Sequence, residues 1–462
     1  MLKILFYSFL IELIFTLKKI ELDLQLNPYK FPYLTQNYFL LPIIINNISY
    51  SLQIDTSLST TWIPHTKYNY DILKSPIYYY PYPNNINKNK IYSIEDENGS
   101  IEGILIENKN QNNENKVILS ENEFYLNYLI AYKFDEDYWD YFNGKIGLGF
   151  KYKNSEYNII NILKFNNFID EKIFSLDFNK KKLILGEEKK YNFSCNVIST
   201  EDLDDNYRDG WVCEMKYFNI EEDYKKINID NFFYTKNYVI FDSAHDYITI
   251  PYKYKGLLNE ILKKKLNVNC WDNKKEIEKI DDLEFENKTN FTDYLKFNRD
   301  DDYYDFYCDL KYINPNATLS FIIDENLIRI PLFNLFYEFN KTVMKSSINF
   351  IDEDDGIFIF GWNFFQNFKT FFDFDDKKVG FEIENNFYLK NVENEVKKLD
   401  EFYKKKEEYE NKKKKMIFII VIIIFIIILF IAIIFGLYCL IKKRTMNQNG
   451  PLIELENDDR II

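Results

Sequence analysis

Short apolar runs alternate along most of the chain with clusters of Asn, Asp, Lys and Pro. FLLPIIINN from Phe39, YSLQID from Tyr50, KVILS from Lys116, KIFSLDF from Lys172 and KKLILG from Lys181 form the first half of the series. YVIFD from Tyr238, DYITIP from Asp246, TLSFIID from Thr318 and GIFIFG from Gly356 form the second. These runs are β-branched and aromatic and are bounded by turn residues, which predicts strands and an all-β body with few helices. One stretch breaks the rule. GLLNEILKKKL, from Gly256 to Leu266, spaces its apolar residues at i, i+3 and i+4 and predicts a helix.

Both ends depart from this pattern. Near the N-terminus Lys3 precedes ILFYSFLIELIF, an apolar run too short to span a bilayer, so residues 1–16 read as a secretory signal peptide. Residues 386–415 turn charged and helix-prone, with Val392, Val396 and Leu399 as a thin apolar stripe, and predict a stalk. From Met416 to Ile441 no charge occurs. At about 1.5 Å per residue the run extends roughly 39 Å, enough to cross a hydrocarbon core with tilt, so one transmembrane helix is expected. Basic residues flank it on both sides and leave its direction open. The leader settles the expected orientation: a single-pass type I membrane protein in the secretory pathway, with residues 442–462 as a short cytoplasmic tail.

Composition narrows the chemistry. The net charge is −14 and the pI near 5.0, the opposite of a nucleic-acid footprint. The only histidines are His65 and His245, which argues against a His-based zinc site or a Ser-His-Asp triad without excluding them. No metal and no cofactor are expected. Cys195, Cys213, Cys270 and Cys308 lie in the ectodomain and allow three connectivities, of which the sequence-local one, Cys195 with Cys213 and Cys270 with Cys308, is favoured. Cys439 falls in the apolar run. Sequons at Asn47, Asn98, Asn192, Asn287, Asn290, Asn316 and Asn340 permit glycosylation in such a compartment.

The chemistry itself comes in a pair. Ile54-Asp55-Thr56-Ser57 leads on to Trp62 and Pro64, and Phe241-Asp242-Ser243-Ala244 leads on to Pro251. Each unit runs from an apolar strand into Asp, then a hydroxyl residue, then a small residue, and each has Pro nine positions after its Asp. The two lie about half an ectodomain apart and imply two related lobes.

Here the chain resembles the pepsin-like aspartic protease family (peptidase A1), whose two lobes each supply an Asp-Thr/Ser-Gly loop. Other segments follow in the family's order. Asn143-Gly144-Lys145-Ile146-Gly147-Leu148-Gly149 resembles its Asp-Gly-apolar-apolar-Gly-Leu-Gly segment. Ile173 to Leu176, Leu183 to Gly186, Ile359 to Gly361, Phe372-Asp373 and Val379 to Phe381 resemble its interdomain and last strands. The resemblance covers roughly 38–383. It implies a bilobal β-barrel fold, with a segment 17–37 ahead of an N-terminal lobe 38–190 and a C-terminal lobe 191–385. It also implies a monomeric peptidase acting on peptides or proteins, with Asp55 and Asp242 as catalytic carboxylates and Thr56 and Ser243 supporting the pair. Two such carboxylates share one proton, so one can serve as base on a water and the other as acid toward the peptide carbonyl.

The departures from the family pattern sit beside the carboxylates. Ser57 and Ala244 replace glycines, and Leu58 and His245 replace supporting hydroxyls. The flap hairpin, read over Tyr92, Asp96 and Gly99, has Asp96 where the family places Tyr. Two readings remain open from sequence: a membrane-tethered aspartic endopeptidase, or a catalytically inactive homologue that binds peptides or proteins at the surface.

Overall fold

In the computed structural model the chain is described over residues 18–26, 39–64, 91–96, 99–106, 116–134, 144–150, 158–199, 209–222, 233–272, 303–309, 314, 316–338, 343–351, 357–382 and 389–448. It divides into two compact units, Met1–Glu393 and Asn394–Ile462.

The first unit is built from three sheets. Each predicted strand is present. Phe39–Ile45 and Ile48–Asp55 form a hairpin whose turn residues, Asn46 and Asn47, both have positive φ. That pair of left-handed residues matches the twist of the strands it joins. A ten-stranded sheet holds this hairpin, the strand Trp62–Pro64 and the hairpin Ile91–Asp96/Gly99–Ile106. An eleven-stranded sheet holds Trp211–Glu221, Phe233–Phe241, Ile248–Pro251 and Ile357–Phe360. A six-stranded sheet takes Ile173–Asp177 and Lys182–Leu185 from the first half of the chain and Lys369–Asp373 and Lys378–Glu382 from its end.

The repeat seen in the sequence is a repeat of topology. In the first half, Ile48–Asp55 pairs in parallel with Lys145–Gly147, which also pairs antiparallel with Trp62–Pro64. In the second, Phe233–Phe241 pairs in parallel with Ile357–Phe360, which also pairs antiparallel with Ile248–Pro251. A strand from far along the chain is thus inserted between the two strands that flank each Asp loop. The copies agree in detail. Gly149 N–H donates to Leu58 O and Trp362 N–H donates to His245 O, both at 2.7 Å. A Cβ on Gly361 would stand 2.2 Å from His245 O, and one on Gly149 would stand 2.8 Å from Leu58 O. Glycine is needed under each loop because backbone approaches backbone there.

A continuous core fills the body. Trp211 is completely buried, packs on Phe150, Phe174, Phe372 and Phe374, and donates from its indole Nε1 to Leu148 O at 2.8 Å. That indole is amphipathic, so one side chain fills the core between the two halves and also satisfies a backbone carbonyl. Cys195 is bonded to Cys213 and Cys270 to Cys308.

The predicted helix occurs as Lys255–Ile261, continued by a wider turn over Leu262–Leu266. The stalk begins later than its composition suggests. Leu389–Asn391 is a strand that pairs with Asn326–Pro331, and Val392 is buried with its N–H on Glu325 O. One helix then runs from Glu393 to Gln448, through the apolar run and into the tail, since no Gly-Pro pair interrupts it before Gly450 and Pro451. Its described apolar side chains, such as Ile417, Phe418 and Phe430, are exposed. Counting only described side chains, no helix is long and apolar enough to cross a membrane; Val421, Ile424, Ile426 and Ile427, in the middle of the run, lie outside that set. The leader 1–16, His65 and the sequons at Asn98, Asn287, Asn290 and Asn340 also lie outside the described residues.

Candidate active site

The two Asp loops meet. Thr56 Oγ1 donates to Phe241 O at 2.7 Å and accepts from Ser243 N–H at 2.9 Å. Ser243 Oγ donates to Ile54 O at 2.8 Å, and Gln53 Nε2 donates to Ala244 O at 3.2 Å. Every one of these bonds crosses between the halves of the chain. A hydroxyl suits the position because it donates and accepts at once, so one small side chain satisfies two buried backbone groups. Asp55, Thr56, Asp242 and Ser243 are all buried.

Around Asp55 the donors converge on one oxygen. Ser57 N–H (2.8 Å), Ser57 Oγ–H (2.7 Å) and Leu58 N–H (2.9 Å) all donate to Oδ1. Ser57, which stands where the resemblance calls for glycine, therefore supplies the hydroxyl that Leu58 cannot. Leu58 has a different task. Its side chain packs with Trp62, Ile101, Leu105, Leu129 and Ala131 in a small apolar cluster that ties the loop to the hairpin strand Gly99–Ile106. The other oxygen, Oδ2, lies 3.1 Å from Lys145 Nζ, and both side chains are completely buried. This contact is an ion pair, and among the described residues no hydrogen bond reaches Oδ2.

Ala244 N–H donates to Asp242 Oδ1 at 2.9 Å. His245 Nε2 lies 2.6 Å from Thr249 Oγ1, whose own proton goes to Asn349 Oδ1. With that single hydroxyl proton committed, the imidazole Nε2 is the donor. Thr249 thus holds the ring along the strand Ile248–Pro251.

The flap residues lie on one hairpin. Tyr92 faces Gly103 across it and is 42% exposed, and Asp96 pairs with Gly99 beside a turn outside the described residues. Nothing is described of the Asp96 side chain. Among the described residues no group of three His, Cys, Asp or Glu is arranged to hold a metal.

Asp55, Thr56, Asp242 and Ser243, singled out from the sequence, lie on two loops that the structure brings together, while Lys145 was not singled out. The signal was present, for Lys145 occupies the first apolar position of the Gly-rich segment. Reading it needs the parallel register that sets Lys145 beside Gln53 and Gly147 beside Asp55.

Comparison with known proteins agrees with this geometry. No curated protein matches the chain. The family described as eukaryotic aspartyl protease matches residues 41–383, which hold both Asp loops, both inserted strands and most of the three sheets. The chain belongs to the eukaryotic aspartyl protease family, the pepsin-like peptidases A1.

Proposed function

We propose that the chain is an aspartic endopeptidase that cuts peptide or protein substrates with a water activated between Asp55 and Asp242. The observation that carries this reading is the reciprocal bonding of the two loops through Thr56 and Ser243. Such bonding fixes the backbone of both aspartates to each other and leaves little freedom in how the carboxylates stand. Preorganisation of this kind lets two side chains act as one unit. Asp55 Oδ1 is occupied by three donors, and among the described residues Oδ2 has no hydrogen-bond donor. A water's proton is taken at Oδ2. Asp242, protonated, donates toward the peptide carbonyl and stabilises the charge that develops on it. Coupled carboxylates titrate as a pair, so activity is expected at acid pH.

The same proposal extends to place. The 416–441 run anchors the protein as a single membrane span, and the leader puts residues 17–415 on the lumenal or extracellular side, as a glycosylated monomer. The two disulfides support an oxidising compartment.

A second reading, an inactive homologue that binds peptides, draws on Leu58 and Lys145 beside the aspartate. One assay separates the two. The full chain is incubated with a denatured protein from about pH 3 to about pH 7 beside an Asp242→Ala control. Cleavage that disappears in the control is expected. Equal cleavage, or none, in both proteins at every pH would overturn the peptidase reading.

A further inference from the structure

We propose that Gln53 is a specificity-determining residue of the candidate site: its side-chain oxygen accepts a hydrogen bond from the bound peptide and selects peptides that carry a donor side chain (amide, hydroxyl or ammonium) beside the central bond. The inference rests on the peptidase reading for what is done to the peptide, and not for its capture.

The argument begins with the strand Ile48–Asp55. Successive side chains of a strand point to opposite faces. Leu52 and Ile54 enter the apolar core. Gln53 shares the other face with Asp55 and is buried there. The end of its side chain reaches the second loop. Nε2 donates to Ala244 O at 3.2 Å, and Ala244 N–H donates in turn to Asp242 Oδ1. The Gln53 amide therefore stands where the two Asp loops meet.

Only half of that amide is used. Ala244 O is an acceptor, so the nitrogen must face it and the oxygen is turned the other way. Among the described residues no donor reaches Oε1, although the atom is buried. A buried acceptor without a donor is unfavourable, and an apolar side chain of similar size would avoid the cost. The bond to Ala244 accounts for the nitrogen and leaves the oxygen unexplained. A donor on a bound peptide explains it. Burial does not bar such a donor, because Asp55 is no more exposed than Gln53 and lies on the same face. A peptide that reaches the carboxylate has opened the way to its neighbour. A projecting side chain reaches a recessed oxygen more readily than a main chain running over the loops. An apolar side chain in that place would leave the oxygen unpaired, and mismatches of this kind are what give a polar site its discrimination.

Two measurements on the full chain test the proposal. The first uses wild type alone. It is given peptides of one sequence in which each residue flanking the central bond is in turn Leu, Met, Asn, Gln, Thr or Lys, and kcat/KM is read for each. On one side of the bond the donor-bearing residues should be favoured over Leu and Met by roughly tenfold, the weight of one buried hydrogen bond. A flat profile, or one that favours Leu and Met on both sides, would give Oε1 to a water or to a backbone N–H and overturn the proposal.

The second needs no cleavage. Dissociation constants of the same peptides are measured on Asp242→Ala protein, with and without Gln53→Leu. Gln53→Met, which keeps the length of the side chain, takes the place of Gln53→Leu if that variant does not melt cooperatively. The donor-bearing peptides should bind more tightly than the Leu and Met peptides by a similar factor, and loss of the Gln53 oxygen should bring the ratio to about one. A preference for donors that survives in the folded Gln53 variant would place the acceptor elsewhere and overturn the proposal. If wild type cleaves nothing while the binding ratio is present and disappears with Gln53, the peptidase reading fails and selection by Gln53 stands. If no peptide binds, both fail.

Discussion

The loops around Asp55 and Asp242 are copies in topology and differ in chemistry. Both follow a strand that pairs in parallel with an inserted strand, and both have an N–H bond to the carbonyl three residues after the Asp. Yet the Asp55 carboxylate takes three hydrogen bonds and a buried lysine. The second loop has Ala244 and a His245 bonded to Thr249 where the first has Ser57 and Leu58. The backbone tolerates this because the glycines that must be glycine, Gly149 and Gly361, lie beneath the loops and are retained. The side chains around the charges are then free to diverge, and they have done so toward asymmetry.

That asymmetry predicts its largest effect on stability when each aspartate is neutralised in turn. Asp55→Asn preserves an acceptor for the three donors but leaves the Lys145 ammonium buried without its counter-charge. Breaking one partner out of a buried pair costs about 3–5 kcal/mol. Asp242→Asn, whose amide oxygen still accepts from Ala244 N–H, is the comparison. Urea unfolding of the two variants at neutral pH reads the difference directly. Equal losses would mean that the two carboxylates stand in equivalent surroundings, and the comparison would collapse.

The next effect concerns the bonds that cross between the loops. Thr56 Oγ1 serves two backbone groups, Phe241 O and Ser243 N–H, whereas Ser243 Oγ serves only Ile54 O among the bonds described. Thr56→Val keeps the shape and orphans both groups in a dry interior, at about 1–3 kcal/mol each. Ser243→Ala orphans one. Thr56→Val should therefore lower the urea midpoint about twice as far, and both should reduce kcat more than KM, because they loosen the geometry without touching substrate. A larger loss from Ser243→Ala would reverse the ranking of the two hydroxyls.

How much of this was legible in the sequence follows from the range of each interaction. The strands could be read because β-branched and aromatic runs between turn residues carry their own signal. The paired units could be read because their order of residue types survives in one dimension. Thr56 and Ser243 came with the family resemblance. Lys145 could not be recognised as a partner of Asp55, since the two meet only through a parallel pairing of distant strands. The rotation of His245 toward Thr249 and Asn349 depends on strands joined late in the sheet order. The stalk boundary was misjudged for a related reason. Leu389–Asn391 looks like a continuation of a charged segment, but the free edge of Asn326–Pro331 recruits it as a strand.

The smallest effect is the most local one. Ser57 occupies a position where the resemblance calls for glycine, and its hydroxyl reaches back 2.7 Å to Asp55 Oδ1. Two backbone donors already serve that oxygen. Ser57→Ala thus removes a charge-assisted bond but orphans nothing, and its cost should be about 1.5–2 kcal/mol, the lower part of the range for hydrogen bonds to charged groups. The mirror change tests the other loop. Ala244→Ser offers Asp242 the hydroxyl that Asp55 already has, at a half-buried position. If the new hydroxyl reaches the carboxylate, Ala244→Ser should stabilise the protein by at most about 1 kcal/mol in urea unfolding. An unchanged or lowered urea midpoint would show that the second loop cannot use the hydroxyl that the first one does.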